Sequence, residues 1–319
     1  ITAGFKPKVS VTYNNTVTKT APAGLTLLEI SRETGIPHAS VCGGRARCST
    51  CRVRIVSGGE TLEPADSQEL KVLHRAGIDT PDIRLACQIR PREALSIIPL
   101  VPAGRINRRQ SGRDKYADGV EQIVTLMFID IRGFTKFSEG RLPYDVVYIL
   151  NQYMGRMSEV ITSNSGYVDK FMGDGIMAIF GMDDEDGHGA ADALRAAFEI
   201  SRALDELNAI HEATLSEPLR IGIGVHTGEA ILGRIGTSKA HSAGERITAL
   251  GDTVNTASRL EALTKQLGKE LVVSASVLQT ANAGPPELAN ETYEIRGRED
   301  PISGISFASA SELSAVISL

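Results

Sequence analysis

IVTLMFID, residues 123–130, is an apolar run closed by a carboxylate, and its reading decides the architecture of the second half of this 319-residue chain. A membrane helix needs roughly 18 apolar residues, so this run is too short to cross and suits a buried strand. Downstream, residues 143–163 place Val147, Leu150, Met154, Met157 and Ile161 near helical spacing. YVDKFMGDGIMAIFG (167–181) reads as two short strands joined through Gly173, Asp174 and Gly175, a hairpin signal. A helix is expected near 189–212, a strand pair in RIGIGVHTGEAILGRIG (220–236), and a further helix over 254–267. This order predicts an antiparallel or mixed sheet with helices packed on one face, an α+β layer arrangement.

Charge divides the chain upstream of that run. Residues 1–100 carry a net +4, residues 101–118 a further +3, and the remainder −12 within a total of −5. The middle stretch holds Arg105, Arg108, Arg109, Arg113 and Lys115 and reads as a solvated connector, not as a nucleic-acid or acidic-lipid site. The expected organisation is therefore a domain over 1–103, a basic linker over 104–120 and a second domain over 121–319. Balanced composition, 42% apolar and 23% charged, excludes disordered and collagen-like classes. No cationic-then-apolar leader opens the chain, and residues 95–101 also read as a buried strand, so a cytoplasmic location is expected. The first residue is Ile1 and not Met, which leaves room for a membrane anchor or sensor in a longer parent.

All four cysteines lie in the first domain. Cys42, Cys48 and Cys51 are spaced C-x5-C-x2-C within CGGRARCSTC, and Cys87 follows after 35 residues. Three thiols within ten residues do not readily pair as disulfides with one distant partner. They suit a soft metal centre, with a thiolate loop around one side and the remote Cys closing the other. Zinc prefers two short C-x2-C knuckles, and only one is present. A disulfide framework would imply an oxidising compartment. Gly43 and Gly44 permit tight turns that leave N–H groups free to face sulfur.

Residues 5–100 resemble the β-grasp ferredoxins, in the variant with five residues between the first two ligands that adrenodoxin-like and many bacterial members share. The resemblance runs through the alternating VSVTY strand, the helix-like segment 25–34, the loop at 42–51 and RLACQIR around Cys87. It implies a [2Fe–2S] cluster held by Cys42, Cys48, Cys51 and Cys87. Arg45, Arg47, Arg52 and Arg54 crowd the loop, where positive charge would favour the reduced state unless water and salt screen it.

In the second domain two carboxylates stand out by position. Asp130 ends a buried strand and Asp174 sits on a hairpin tip, so each can face a common groove. Hard carboxylates with water and phosphate oxygens are what Mg²⁺ takes, although Asp is common at both kinds of position. Residues 121–307 resemble the catalytic domain of class III nucleotidyl cyclases, a ferredoxin-like βαβ sheet with helices. The matching blocks are VTLMFIDIRGFTKFSE (124–139), VDKFMGDGIMAIFG (168–181), GIGVHTGEAILGRIG (222–236) and LGDTVNTASRLE (250–261), in the family's order and spacing.

That resemblance assigns roles. Asp130 and Asp174 would be the ligands of two Mg²⁺ or Mn²⁺ ions, joined by the carbonyl of Ile131. The turn through Gly133, Phe134 and Thr135 would cradle the triphosphate with backbone N–H groups. Asn255 would orient the ribose, and Arg259, on the same helix face, would stabilise charge on the α-phosphate. Arg296, in YEIRGRED, falls where the family has a basic triphosphate contact.

The base-reading positions fall on Lys170 and Thr248. Lys only donates, which suits the acceptor N1 of adenine and not the protonated N1 of guanine. Thr can accept from the adenine amino group or donate to guanine O6; many adenylate-forming members have Asp there, and the guanylate pattern of Glu and Cys is absent. The implied reaction is conversion of ATP to 3′,5′-cyclic AMP and pyrophosphate. In the family the active site forms between two chains, so a homodimer is implied. Three roles for the cluster then compete: redox control of the cyclase, electron carriage with an outside electron donor, or a structural staple. His38, His74, His188, His211, His226 and His241 show no ligand spacing and read as structural or surface residues.

Overall fold

β1 (Lys8–Tyr13) and β2 (Val17–Pro22) form the first hairpin, turned by Asn14 and Asn15, which both adopt left-handed backbone at φ 50° and 56°. The computed structural model describes residues 7–103, 116, 119–183, 188–215, 217–234, 246–284, 291–295 and 300–315. It divides into two units, Ile1–Gly119 and Val120–Leu319.

In the first unit, α1 (Leu27–Glu33) starts at a capping box. Glu29 N donates to Thr26 Oγ1 at 3.2 Å, and Thr26 N donates to Glu29 Oε2 at 2.7 Å. There follow β3 (Arg52–Ser57), α2 (Ser67–Arg75) capped by Asp66, β4 (Ile83–Leu85) and β5 (Leu95–Pro99). The sheet order is β2-β1-β5-β3-β4, with β1 and β5 parallel. Alternate residues Val9, Val11 and Tyr13 of β1 meet Leu27, Leu28 and Ile30 of α1 in the core, as a period of two against a helical stripe requires. Glu69 is fully buried there. Both its oxygens are satisfied, by the Arg84 fork at 2.9 Å and by Leu85 N at 2.6 Å, which is the condition for keeping a charge inside.

The second unit is an eight-stranded mixed sheet. Its elements are β6 (Val120–Ile131), α3 (Phe134–Glu139), α4 (Pro143–Ser163), β7 (Tyr167–Met172), β8 (Gly175–Phe180), α5 (His188–Ile210) and β9 (Ile221–Arg234). They continue as β10 (Ile247–Leu250), α6 (Asp252–Leu267), β11 (Leu271–Ser274), α7 (Ala275–Thr280), β12 (Glu291–Tyr293) and β13 (Ile302–Phe307). The strand order is β12-β13-β11-β9-β6-β8-β7, with β10 paired to β9. β6 lies between β8 and β9, antiparallel to both.

Three expectations change. The segment 220–236 is not a strand pair: Ile221–Arg234 is one continuous strand, held straight by pairing along all of β6 from Val120↔Leu232 to Ile131↔Ile221. The helices do not share one face. Ile221, Ile223 and Val225 of β9 pack with α4 and α5, whereas a Cβ on Gly224 would meet Glu261 N and Ala257 O of α6. Residues of opposite parity point to opposite faces, so α6 covers the other side of the sheet. On α4, Val147 is exposed, while Leu150, Met154, Met157 and Ile161 pack on the core as expected, joined by the buried Ile149, Tyr153 and Val160. Among the described residues no helix is long and apolar enough to cross a membrane.

Candidate functional site

Asp130 and Asp174 arrive from adjacent strands. Asp130 is the penultimate residue of β6, and Asp174 occupies the tight turn between β7 and β8, where Met172 pairs with Gly175 and Gly173 takes φ 67°. Gly175 has no side chain to block the approach: a Cβ there would lie 3.2 Å from Asp130 Oδ1. Burial raises the Asp130 pKa and the Asp174 charge raises it further, while Arg132 and Lys265 pull it back. Burial likewise raises Asp174, offset by backbone N–H bonds from its own residue and from Ile131. Two half-buried, mutually repelling carboxylates are short of positive charge, which is the electrostatic condition for a divalent cation. The donor set therefore fits the expected metal, with the Ile131 carbonyl next in sequence.

Two residues absent from the sequence reading complete this corner. Arg132 Nη1 lies 3.1 Å from Glu261 Oε1, with side chains 16% and 13% exposed. Burial pushes Glu261 up to about 7; Arg132 opposes this, and the charges of Asp130 and Asp174 add to it. Glu261 closes the block LGDTVNTASRLE, but nothing in its spacing shows that α6 would bring it beneath Asp130. Gly133 adopts φ 68° and opens α3, its carbonyl accepting from Phe137 N at 3.0 Å. Gly133 and Thr135 are exposed and Phe134 half-buried, and the first N–H groups of such a helix have no partner within it. A groove of about 590 Å³ opens alongside, lined among others by Arg132, Lys136, Arg220, Lys265 and Lys269.

The other expected residues form two further groups. Lys170 Nζ donates to Thr248 Oγ1 at 2.9 Å, joining β7 to β10. Thr248 in turn donates to Asp169 Oδ2 at 2.6 Å. Asn255 is exposed and Arg259 half-buried, one turn apart on α6, whose packed side is Thr253, Thr256, Ala257, Leu260 and Thr264. Arg296 lies outside the described residues, as do most of the linker and His241.

In the first unit the thiols come as two pairs. Cys51 Sγ donates to Cys87 Sγ at 3.5 Å, both buried, while half-buried Cys42 accepts from the Cys48 thiol. Burial raises Cys42, but N–H groups of Arg47, Gly44 and Arg45 and the Cys48 bond outweigh it, and its pKa falls. Cys87 is pushed down to about 6, first by the Cys51 thiol, then by Gln88 and the Ala46 N–H. Cys51, the donor, rises correspondingly. Left-handed Gly43, Gly44 and Ala46 turn these N–H groups inward. Among the described residues no three His, Cys, Asp or Glu side chains gather as a single-ion site. Two thiol pairs served by backbone donors fit a two-iron unit better than one ion. His38, read as structural, is a bridge: Nδ1 is 3.0 Å from Ser31 Oγ and Nε2 is 3.3 Å from the Cys51 carbonyl.

Comparison with known proteins follows the same division. Residues 117–303 match the adenylate and guanylate cyclase catalytic domain, and residues 11–92 match the 2Fe-2S iron-sulfur cluster binding domain. An adenylate cyclase of Anabaena cylindrica is 36% identical over 190 residues, 56% of this chain and 36% of that protein. Adenylate cyclase 1 of Rhizobium meliloti is 34% identical over 224 residues, 65% of this chain and 33% of that protein. The chain thus spans about a third of the length of these relatives. The crystal structure of the guanylyl cyclase Cya2 aligns at TM-score 0.53 and 33% identity, covering 62% of this chain and 98% of that one. The adenylyl cyclase CyaB from P. aeruginosa aligns at TM-score 0.52 and 25% identity, covering 59% and 94%. With its carboxylate pair, its fold and its matched length, the chain belongs to the adenylate and guanylate cyclase catalytic domain family, preceded by a ferredoxin-type 2Fe-2S domain.

Proposed function

We propose that this protein is an adenylate cyclase that converts ATP to 3′,5′-cyclic AMP and pyrophosphate as a homodimer, with turnover controlled by the redox state of a [2Fe–2S] cluster in residues 1–103. The observation that carries the cyclase reading is the Asp130–Asp174 pair, with Gly175 leaving room beside the Asp130 carboxylate, both groups raised by burial and Asp130 raised further by the charge of Asp174. When bound, two Mg²⁺ or Mn²⁺ ions supply a Lewis acid for the ribose 3′-hydroxyl and the α-phosphate. Asp130, Asp174 and the Ile131 carbonyl hold them. The N–H groups following Gly133 receive the triphosphate, and Arg296 is a further candidate contact for it. Asn255 orients the ribose, and Arg259 meets the charge that builds as pyrophosphate leaves. In the dimer one chain gives the aspartates and its partner gives Lys170, Thr248, Asn255 and Arg259. ATP is favoured over GTP because Lys170, a donor only, faces the base beside Thr248.

Cys42, Cys48, Cys51 and Cys87 hold the cluster, which supplies a one-electron couple when bound. The half-exposed Cys42 and Cys48 put one edge of the loop at the surface, which supports electron entry from a separate donor. The linker, residues 104–120, would carry the signal to the cyclase domain, residues 121–319. The test is cyclic AMP formation from Mg-ATP and Mn-ATP, measured anaerobically with the protein oxidised and then dithionite-reduced. A several-fold difference that disappears in Cys48→Ser supports redox control. Equal rates in both states leave a cyclase whose cluster is structural or an electron relay. No cyclic AMP in either state, with cyclic GMP formed from GTP, overturns the ATP reading.

A further inference from the structure

The Thr248 hydroxyl has its proton committed. Its Oγ1 donates to Asp169 Oδ2 at 2.6 Å and accepts from Lys170 Nζ at 2.9 Å, and Lys170 Nζ is itself 3.5 Å from Asp169 Oδ2. A lysine side chain can only donate, so the Thr248 hydroxyl accepts from it and turns its own proton to Asp169. Adjacent residues of a strand normally point to opposite faces. Asp169 and Lys170 both reach Thr248 because the register of β7 on β8 slips between Val168 and Lys170, placing Asp169 in a bulge. Asp169 is 3% exposed, so this buried carboxylate depends on the Thr248 and Lys170 contacts.

We propose that Asp169 is a positioning residue that determines nucleobase specificity by holding Thr248 as a pure acceptor. The inference rests on the reading of Lys170 and Thr248 as base contacts. A hydroxyl offers one proton and two acceptor pairs. Asp169 takes the proton and Lys170 uses one pair. The remaining pair accepts from the exocyclic amino group of adenine. It has nothing to donate to O6 of guanine, where two acceptors would face each other. Threonine alone is ambiguous between the two bases, and threonine bound to Asp169 is not. The pair Asp169–Thr248 thereby presents the base with the acceptor character that an aspartate at position 248 would have.

The test is the ATP-over-GTP ratio of kcat/KM, measured on the full chain with Mn²⁺, for wild type, Asp169→Leu, Asp169→Asn, Thr248→Val and the Leu/Val double variant. Asp169→Leu fills the buried space but releases the hydroxyl, and the ratio is expected to fall about tenfold, with GTP turnover rising. Asp169→Asn keeps an oxygen that accepts and is expected to stay within about threefold of wild type. In the Thr248→Val background, Asp169→Leu is expected to shift the ratio by less than about twofold, because the residue acts through that hydroxyl. Asp169→Ala carries the same expectation should the leucine chain not fold. A wild-type preference for ATP that survives loss of the carboxylate overturns the inference, as does an undiminished effect in the valine background. A wild type that prefers GTP overturns the base-contact reading and the inference with it.

Discussion

Arg132 Nη1 stands 3.1 Å from Glu261 Oε1, tying the turn after β6 to the middle of α6 next to Asp130 and Asp174. One guanidinium and Lys265 thus balance three neighbouring carboxyl groups, and without metal the corner carries excess negative charge. Glu261 responds most strongly, rising from 4.5 to about 7.

That shift sets a pH dependence. An acid whose folded pKa lies above its unfolded one binds more protons when folded, so its contribution is complete below about 4.5 and is lost as pH rises through about 7. The metal-free chain is expected to melt at a lower temperature at pH 8 than at pH 5.5, and Glu261→Gln is expected to shrink that difference by about 2–4 °C. Calorimetry in chelator at both pH values checks it. An unchanged slope would place the titrating group elsewhere.

Asp174→Asn removes one of the repelling carboxylates while keeping the size and the turn. Activity with Mn²⁺ is expected to fall by about a hundredfold or more. The metal-free melting temperature is expected to hold or rise, since Asp130 loses the charge that raises it. Loss of activity together with a lower melting temperature would instead assign Asp174 a role in the turn itself.

The shared-site reading makes a mixing prediction. Asp174→Ala and Arg259→Ala chains are each expected to be inactive alone. Equal mixtures that exchange freely are expected to recover roughly a quarter of wild-type activity, because half the dimers are mixed and each has one intact site. Assay after co-refolding reads it directly. No recovery, with mixed dimers present, would place both residues in a site within one chain.

Gly224 is where α6 presses onto β9. A Cβ would come 2.5 Å from the Ala257 carbonyl oxygen and against Glu261 N, so Gly224→Ala is expected to cost about 1–3 kcal/mol and to lower activity by moving α6. Gly155, exposed on α4 with nothing within 4 Å of a Cβ, serves as the control. Gly155→Ala is expected to stabilise by about 0.5–1 kcal/mol. Urea denaturation of both variants checks the contrast.

Local patterns carried a large part of this protein. The apolar run ending in Asp130 and the Gly-Asp-Gly turn each act over a few neighbouring residues, so spacing alone places them on a strand end and a hairpin tip. The C-x5-C-x2-C loop is local in the same sense, although its division into a Cys42–Cys48 pair and a Cys51–Cys87 pair depends on where the chain returns at residue 87. Contacts between distant segments were not legible. Whether 220–236 folds back or runs straight depends on β6 pairing along its whole length, and which face α6 covers depends on glycines that its backbone must reach. Arg132 finds Glu261, and Asp169 reaches Thr248 across 79 positions only because a bulge turns it there. Pattern reports the direction of a side chain along its own element. Its partner is chosen by packing, which brings together residues that the chain keeps far apart.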